Sequence, residues 1–281
     1  MAATWSPGNP TAAYVAPGEC VFGADWAAAP LLSKVAISHD TRIFTFGLEE
    51  GKALGLSTCA CLLMKGVDGP SDAEGNSVIR PYTPVSTNAM LGKFELMVKV
   101  YPDGKMSQYL DALEVGKPMH FKHVGGNVKV QYPAFKKEIG MIVGGTGITP
   151  MIQALHCVLG SSGDTSKVAM LYGSKTSKEI LAKETLDAWT ASYGDRFQVT
   201  HVLSEEPAEG SSWTGARGFI TREMIEANFP KPESDCLIFV CGPPPLYTIF
   251  SGPRDPPGQP PSELTGILKE MGYKTEQVIK F

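Results

Sequence analysis

The sequence predicts two domains of different class: an antiparallel β-barrel, then an α/β domain built on a doubly wound parallel sheet. Three observations carry this reading. Up to about residue 123, short β-branched and aromatic runs are separated by regular turn signals, as in antiparallel barrels. Beyond Glu138, apolar runs alternate with helical patterns, as in repeated β-α units. The chain's 281 residues also exceed the roughly 100 to 200 that one domain usually holds. The expected division is an N-terminal arm over 1–28, a barrel over 29–132 and an α/β domain over 133–281.

Residues 1 to about 26 are rich in Ala, Gly and Pro. They lack the basic start and continuous apolar core of a signal peptide, and read as an extended arm. Leu31–Ile37 and Thr41–Phe46 then alternate in polarity and are expected strands. Further strands are expected at Leu56–Met64, Val78–Tyr82, Lys93–Tyr101 and Pro118–His123. Asp68-Gly69-Pro70, Asn88 with Gly92, Pro102-Asp103-Gly104 and Gly125-Gly126-Asn127 supply the turns. In the second half, Ile139–Val143, Val168–Tyr172, Phe197–Leu203 and Leu237–Val240 read as strands. Helical patterns cover Pro150–Leu155, start at Ser177, and cover Thr221–Asn228. Gly252–Pro261 is expected to be an irregular, Pro-rich surface loop.

Composition narrows the function. With 43% hydrophobic and 19% charged residues the chain is an ordinary globular protein. A net charge of −4 argues against a nucleic-acid binder, which needs a basic surface to displace counterions. Cysteines at 20, 59, 61, 157, 236 and 241 form no CxxC pair, and histidines at 39, 120, 123, 156 and 201 have no zinc-finger or HExxH spacing. No protein-built metal site is therefore expected, and a reducing, cytosol-facing compartment fits better than a secreted disulfide scaffold. The longest apolar runs, such as Ile139–Val143 and Cys236–Cys241, fall far short of the ~18 residues of a membrane span.

Four stretches carry candidate chemistry. On a strand, Arg80 and Tyr82 share a face, so a guanidinium and a ring point the same way, beside Pro81 and Thr83. Such a face suits a flat anionic cofactor. Gly144-Gly145-Thr146-Gly147-Ile148-Thr149-Pro150 follows a buried strand and opens a helix, where backbone amides and the helix dipole favour a pyrophosphate. It matches neither GxGxxG nor the P-loop. Cys241-Gly242-Pro243-Pro244-Pro245 ends another central strand, so both turns are expected at the carboxyl edge of the sheet, where ligands bind. Gly104-Lys105-Met106-Ser107, with backbone amides and the Ser107 hydroxyl, is a second phosphate cradle ahead of a short helix at Gln108–Leu113. Taken singly, these stretches also fit a solvated strand end, a plain strand-to-helix turn, close packing and a hairpin turn.

Their order is more specific. Arg80-Pro81-Tyr82-Thr83, Lys99-Val100-Tyr101, Gly104–Ser107, Gly144–Pro150, Cys241–Pro245 and the final Phe281 together closely resemble the NADH-cytochrome b5 reductase family of the ferredoxin-NADP reductase superfamily, over roughly residues 29–281. The resemblance implies an FAD-binding barrel and an NADH-binding α/β domain, with hydride passing from NADH to FAD and single electrons then passing to cytochrome b5. It implies that Arg80 meets the FAD pyrophosphate and that Pro81, Tyr82 and Thr83 border the flavin. Met97, Lys99 and Tyr101 would line the cofactor groove, and Gly104, Lys105, Met106 and Ser107 would hold the FAD phosphates. Gly145, Thr146, Pro150 and Met151 would border NADH, and Thr149 the flavin. Cys241, Gly242 and Pro243 would press the nicotinamide toward the flavin, with Phe281 at the same place. Thr83, Lys99 and Cys241 are the implied catalytic residues.

The family's acidic partner implies a basic rim, for which Lys105, Lys122, His123, Lys129, Lys136 and Lys137 are candidates. The chain is expected to be monomeric and soluble as given, with any membrane anchor lying ahead of this sequence. It departs from the animal enzymes in having Ser204-Glu205-Glu206 where they carry an Asp for the adenosine ribose. The loop Gly66–Asn76 is longer, and the connection Gly126–Gly140 shorter. The first Lys or Arg after that strand is Arg217, so NADH is favoured over NADPH. Rival readings are a related FAD reductase serving another separate acceptor, and a flavin-free nucleotide-sensing protein.

Overall fold

The computed structural model describes residues 5–123, 130–254 and 261–281. The expected turn at Gly125–Asn127, the candidate Lys129 and most of the Pro-rich loop lie outside them. Six strands, β1 (Ala27–Ala36), β2 (Thr41–Gly47), β3 (Leu62–Gly66), β4 (Arg80–Tyr82), β5 (Lys93–Lys99) and β6 (Pro118–His123), form one antiparallel sheet in the order β4-β3-β6-β1-β2-β5. The helix α1 (Lys105–Ala112) lies between β5 and β6 in the chain. Alternating side chains of these strands close on an aromatic core in which Phe22, Phe46, Phe94 and Phe121 lie 4.9 to 5.8 Å apart, centroid to centroid.

One expected strand is cut short. Leu56–Cys61 is irregular, and β3 begins only at Leu62. Cys59 sits at φ 61° and its thiol donates to the Pro150 carbonyl at 3.2 Å, so the run turns out of strand geometry there, Cys59 packing on the second half while Leu56 and Ala60 stay in the barrel core. Apolarity alone does not distinguish these two uses.

In the second half, β7 (Glu138–Gly144), α2 (Ile148–Gly160), β8 (Lys167–Ser174), α3 (Lys183–Ser192), β9 (Phe197–Leu203), β10 (Ala216–Arg217), α4 (Arg222–Asn228), β11 (Cys236–Cys241), α5 (Pro244–Phe250), α6 (Gly266–Glu270) and β12 (Val278–Lys280) follow in turn. Their strands form a parallel sheet in the order β10-β9-β8-β7-β11-β12. The sheet is covered by apolar clusters on both faces, the condition under which all-parallel sheets are found. Sequence order reverses between β7 and β11, which makes their carboxyl ends the switch point. The helix expected from Ser177 is only a 3₁₀ turn at Ser177–Glu179, and α3 starts after Ala182, which is left-handed at φ 56°. Pro244 and Pro245 begin α5, where a missing N–H is harmless. Among the described residues, no helix is long and apolar enough to cross a membrane.

From Trp5 on, the N-terminal arm is irregular but held at several points, and β1 already begins within its expected span, at Ala27. Trp189 Nε1 donates to Gly8 O, Thr11 N–H to His156 Nδ1, and Asn88 Nδ2 to Ala13 O, all at 2.9 to 3.0 Å. Trp5 Nε1 donates to Glu95 on β5 at 2.9 Å, and Phe22 fills the barrel core. A Cβ on Gly160 would lie 2.7 Å from Ala12 N, so α2 needs glycine where the arm crosses it. The arm thus bonds both halves.

Candidate cofactor-binding site

The Arg80–Tyr82 segment is the edge strand β4, paired to β3 with Met64 opposite Arg80 and Leu62 opposite Tyr82. Its outer edge borders a cavity of about 530 Å³. Burial pushes the Tyr82 phenol up to about 12, against the opposing pull of the Arg80 guanidinium. The phenol therefore stays neutral, a surface for packing and hydrogen bonding. Arg80 Nη1 donates to Ile79 O at 2.8 Å, which steadies the guanidinium at the rim.

At the cavity's other end stands the N-terminus of α1. The Ser107 hydroxyl donates to Gly104 O at 3.0 Å and accepts from Tyr101 N–H at 3.1 Å. The hydroxyl thus closes the turn at the cavity wall, which Ser107 lines. Gly104 is needed because a Cβ there would meet Ser107 Oγ at 2.4 Å. No side chain caps α1, and the first amide bonded back to the turn is that of Gln108, at 2.9 Å from Gly104 O. Uncapped first-turn amides of this kind are able to receive an anion.

The two strand-end turns of the parallel sheet touch. Cys241 pairs with Val143, and a Cβ on Gly147 would lie 2.1 Å from Cys241 O. Gly145, at φ 51°, has nothing within 4 Å of a Cβ position, so its backbone faces open space. That space is a second cavity of about 630 Å³, bordered by Gly145, Thr146, Gly242 and Pro243. Lys99, Tyr101, Thr146 and Gly242 line both cavities.

Of the residues singled out in the sequence, Arg80, Pro81, Tyr82, Thr83, Met97, Lys99, Tyr101, Gly104, Lys105, Met106, Ser107, Thr146, Thr149, Pro150, Cys241, Gly242 and Phe281 line the first cavity. Gly145 and Pro243 line the second. Met151 lines neither. One step further round α2 than Pro150, it is fully buried in the core between the halves. Lys99 borders both cavities as expected of a groove residue, and it is also held by two carboxylates. Its ammonium bonds Asp40 at 2.6 Å and Glu179 at 2.9 Å. Burial alone would lower its pKa, but the two carboxylates outweigh that and raise it. It is a fixed cation joining β5 to the Ser177–Glu179 turn, with no proton to give near neutrality.

Three contributors carry no local sequence signal. The Tyr247 hydroxyl on α5 donates to the Phe281 carbonyl and accepts from Gly242 N–H at 3.4 Å, tying the last residue to the β11 turn. Arg254 reaches the first cavity from the loop after α5. Gln153 Nε2, on α2, donates to Pro84 O at 2.8 Å and Ser86 O at 2.6 Å, docking that helix on the barrel. Asn/Gln side chains at interfaces are not legible before the interface is known.

Residues 28–132 match the family model of an oxidoreductase FAD-binding domain, and residues 141–251 that of an oxidoreductase NAD-binding domain. A curated protein of Candida albicans, NADH-cytochrome b5 reductase 2, is 39% identical over 259 residues, covering 92% of this chain and 83% of its own length. The chain belongs to the NADH-cytochrome b5 reductase family. The NADH-cytochrome b5 reductase-like protein of Arabidopsis thaliana is 38% identical, over 91% of this chain and 76% of that one. Among solved structures, the cytochrome b5 reductase domain of Ulva prolifera nitrate reductase superposes with a TM-score of 0.76 at 30% identity, covering 96% of this chain and 100% of that domain. This family member is therefore an oxidoreductase with FAD-binding and NAD-binding domains. The donor set fits both cofactors: uncapped amides and a guanidinium frame the first cavity, and an open glycine backbone frames the second.

Proposed function

We propose that the chain carries hydride from NADH to FAD and then single electrons to cytochrome b5, with FAD in the first cavity and the nicotinamide reaching it from the second. The supporting observation is the junction at which Lys99, Tyr101, Thr146 and Gly242 border both spaces, so that two ligands placed there meet. FAD supplies the chemistry, since a flavin takes up an electron pair and gives electrons singly. The protein's share is placement. Arg80 and the α1 amides would hold the pyrophosphate, while Tyr82 and Thr83 wall the reacting ring. The Gly145 backbone would receive the dinucleotide phosphates, and Cys241, set by its β7 pairing and by Gly147, would limit the nicotinamide's position. We assign 29–132 to FAD and 133–281 to NADH on the same ground.

The acceptor would dock at the rim of the first cavity. Lys122 and Lys65 lie 5.1 and 4.7 Å from the Trp26 ring, a paired cationic feature beside β6 and β3. Lys105 donates to Ser71 O at 2.8 Å and remains exposed. Lys136 is matched by Asp235 at 2.8 Å, and His123 is buried, with burial holding its pKa below the ordinary value, so neither adds to the rim's charge. Lys65 replaces them in the proposed patch.

The deciding experiment is steady-state reduction of ferricyanide and of cytochrome b5 by the purified protein, with NADH and NADPH side by side. A flavin spectrum and NADH-driven reduction of both acceptors are expected. A colourless protein would end the reading, and reduction of ferricyanide alone would remove cytochrome b5 as acceptor.

A further inference from the structure

We propose that Tyr172 is a positioning residue for nucleotide binding: its buried hydroxyl fixes the Gly145–Thr146 peptide so that the Thr146 N–H faces the dinucleotide phosphates. The inference rests on the reading of the second cavity as the nicotinamide-dinucleotide site. A turn that opens with two glycines needs such a tie. Glycine reaches both signs of φ at little cost, and Gly145, at φ 51°, has nothing within 4 Å of a Cβ position, so no steric contact there selects one orientation of the peptide that follows. The opening amides of the 3₁₀ turn Gly145–Gly147 have no acceptor within the turn, and no side chain caps it.

The neighbouring strand supplies the constraint. Val168, Met170 and Tyr172 alternate onto the face of β8 that shares a core with α2. Register sets Tyr172 opposite Val143 and Gly173 opposite Gly144, so the Tyr172 ring lies at the root of the turn. The ring is fully buried, and the His201 ring on β9 packs 5.6 Å from it. A buried phenol needs a partner for its proton. The Tyr172 hydroxyl finds it in Gly145 O, at 3.0 Å.

That bond decides where the next donor points. Gly145 O also accepts from Ile148 N–H, so both of its lone pairs are used within the protein. Across a trans peptide the following N–H points opposite to the carbonyl. With Gly145 O turned toward the buried ring, Thr146 N–H is turned away from it, and Thr146 borders both cavities. Burial pushes the Tyr172 phenol far above its ordinary pKa, against the smaller opposing pull of the Leu181 backbone and Ser174, so the hydroxyl keeps its proton and stays a donor. Leu181 and Ser174 border the second cavity as Gly145 does, which puts the phenol oxygen under its floor. Tyr172→Phe keeps the ring and the Ile148 bond and loosens one peptide.

The test compares wild type and Tyr172→Phe as FAD-loaded proteins, with ferricyanide as acceptor and with ADP and adenosine as competitors of NADH. Removing one hydrogen bond that acts through a phosphate contact is expected to raise the KM for NADH and the ADP inhibition constant about fivefold. The adenosine inhibition constant, kcat and flavin per chain are expected to change less than about twofold, a split that loss of packing alone would not produce. Equal changes for ADP and adenosine, no change in either, or loss of FAD from the variant overturns the inference while leaving the cavity's assignment intact. A second measurement needs no variant: the Thr146 amide proton of the wild type is expected to move downfield in NMR spectra when ADP is added, and an unmoved resonance overturns the inference. Failure of ADP to compete with NADH in the wild type overturns the assignment itself, and the inference with it.

Discussion

Two neighbouring glycines separate the fold's needs from the ligand's. At Gly147 a Cβ would lie 2.1 Å from Cys241 O, 2.5 Å from its carbonyl carbon and 2.9 Å from Gly242 N. These are backbone atoms of a strand end paired to β7, so no side-chain rotation relieves the overlap. Gly147→Ala must push the two turns apart, and about 3 kcal/mol or more of destabilisation is expected, the upper part of the overpacking range. At Gly145 nothing lies within 4 Å of a Cβ, but φ is 51°. Gly145→Ala is expected to lose only the left-handed penalty of about 1 to 2 kcal/mol. Its methyl would project toward the second cavity, so NAD⁺ affinity is expected to fall by tenfold or more. Urea unfolding of the two variants, with NAD⁺ titrations on the folded forms, checks both statements. If Gly145→Ala proves the less stable of the two, or keeps full NAD⁺ affinity, the reasoning about this junction is wrong.

Lys99→Met leaves Asp40 and Glu179 facing each other with no cation, and about 2 kcal/mol of stability is expected to be lost at neutral pH, read by urea unfolding. Asp40's carboxyl is held below the usual range although burial opposes this, because Lys99, Ser38 and Thr41 bond it. The wild-type advantage is therefore present above pH 3.8 and fades as pH falls further, which a pH series of the same measurement reads. His156 is held neutral by burial, its pKa lowered from 6.5 to about 4. Its contribution, on the order of 3 kcal/mol, is full above pH 6.5 and lost as pH falls toward 4, and His156→Asn, which keeps an acceptor for Thr11 N–H, is expected to flatten that part of the stability profile. Arg80→Ala is expected to weaken FAD retention during gel filtration, measured as flavin absorbance per chain. Cys241→Ser is expected to slow flavin reduction in stopped flow while FAD stays bound; loss of FAD instead would contradict its placement at the nicotinamide.

Most of the residues that line the two cavities were legible in the sequence because the segments that carry them are local. Arg80 to Thr83, Gly104 to Ser107 and Gly144 to Pro150 each lie within a single strand end or turn, where short-range stereochemistry decides which groups are offered. Positions that depend on which face of an element meets which neighbour were less legible. Met151 follows Pro150 by one residue and, on a helix, that step turned it from the cavity into the core. Leu56–Cys61 reads as a strand because burial in an irregular segment, in the barrel core at Leu56 and Ala60 and against the second half at Cys59, selects the same residues as burial in a sheet. Tyr247, Glu179 and Gln153 act through partners 34 to 80 residues away, and no periodicity in the chain announces such pairs.

The arm shows why these long-range pairs belong to the site. Both cavities are formed between elements of the two sheets, so the distance between their contents is set by how the halves are held, not by either fold alone. Gln153 docks α2 on the barrel, and Lys99 joins β5 to the Ser177–Glu179 turn. The arm adds further ties, with Trp5 on β5, Gly8 on α3, Thr11 on α2 and Phe22 in the barrel core. Each tie is modest in energy, since a hydrogen bond contributes about 1 kcal/mol net. Their effect is geometric. They lie at well-separated points, and rotation of one half against the other would break several together. An irregular segment without propensity for strand or helix can supply such ties because its backbone groups are not spent on a ladder. The sequence marks the segment as an extended arm, but its lack of periodicity gives no sign of these ties.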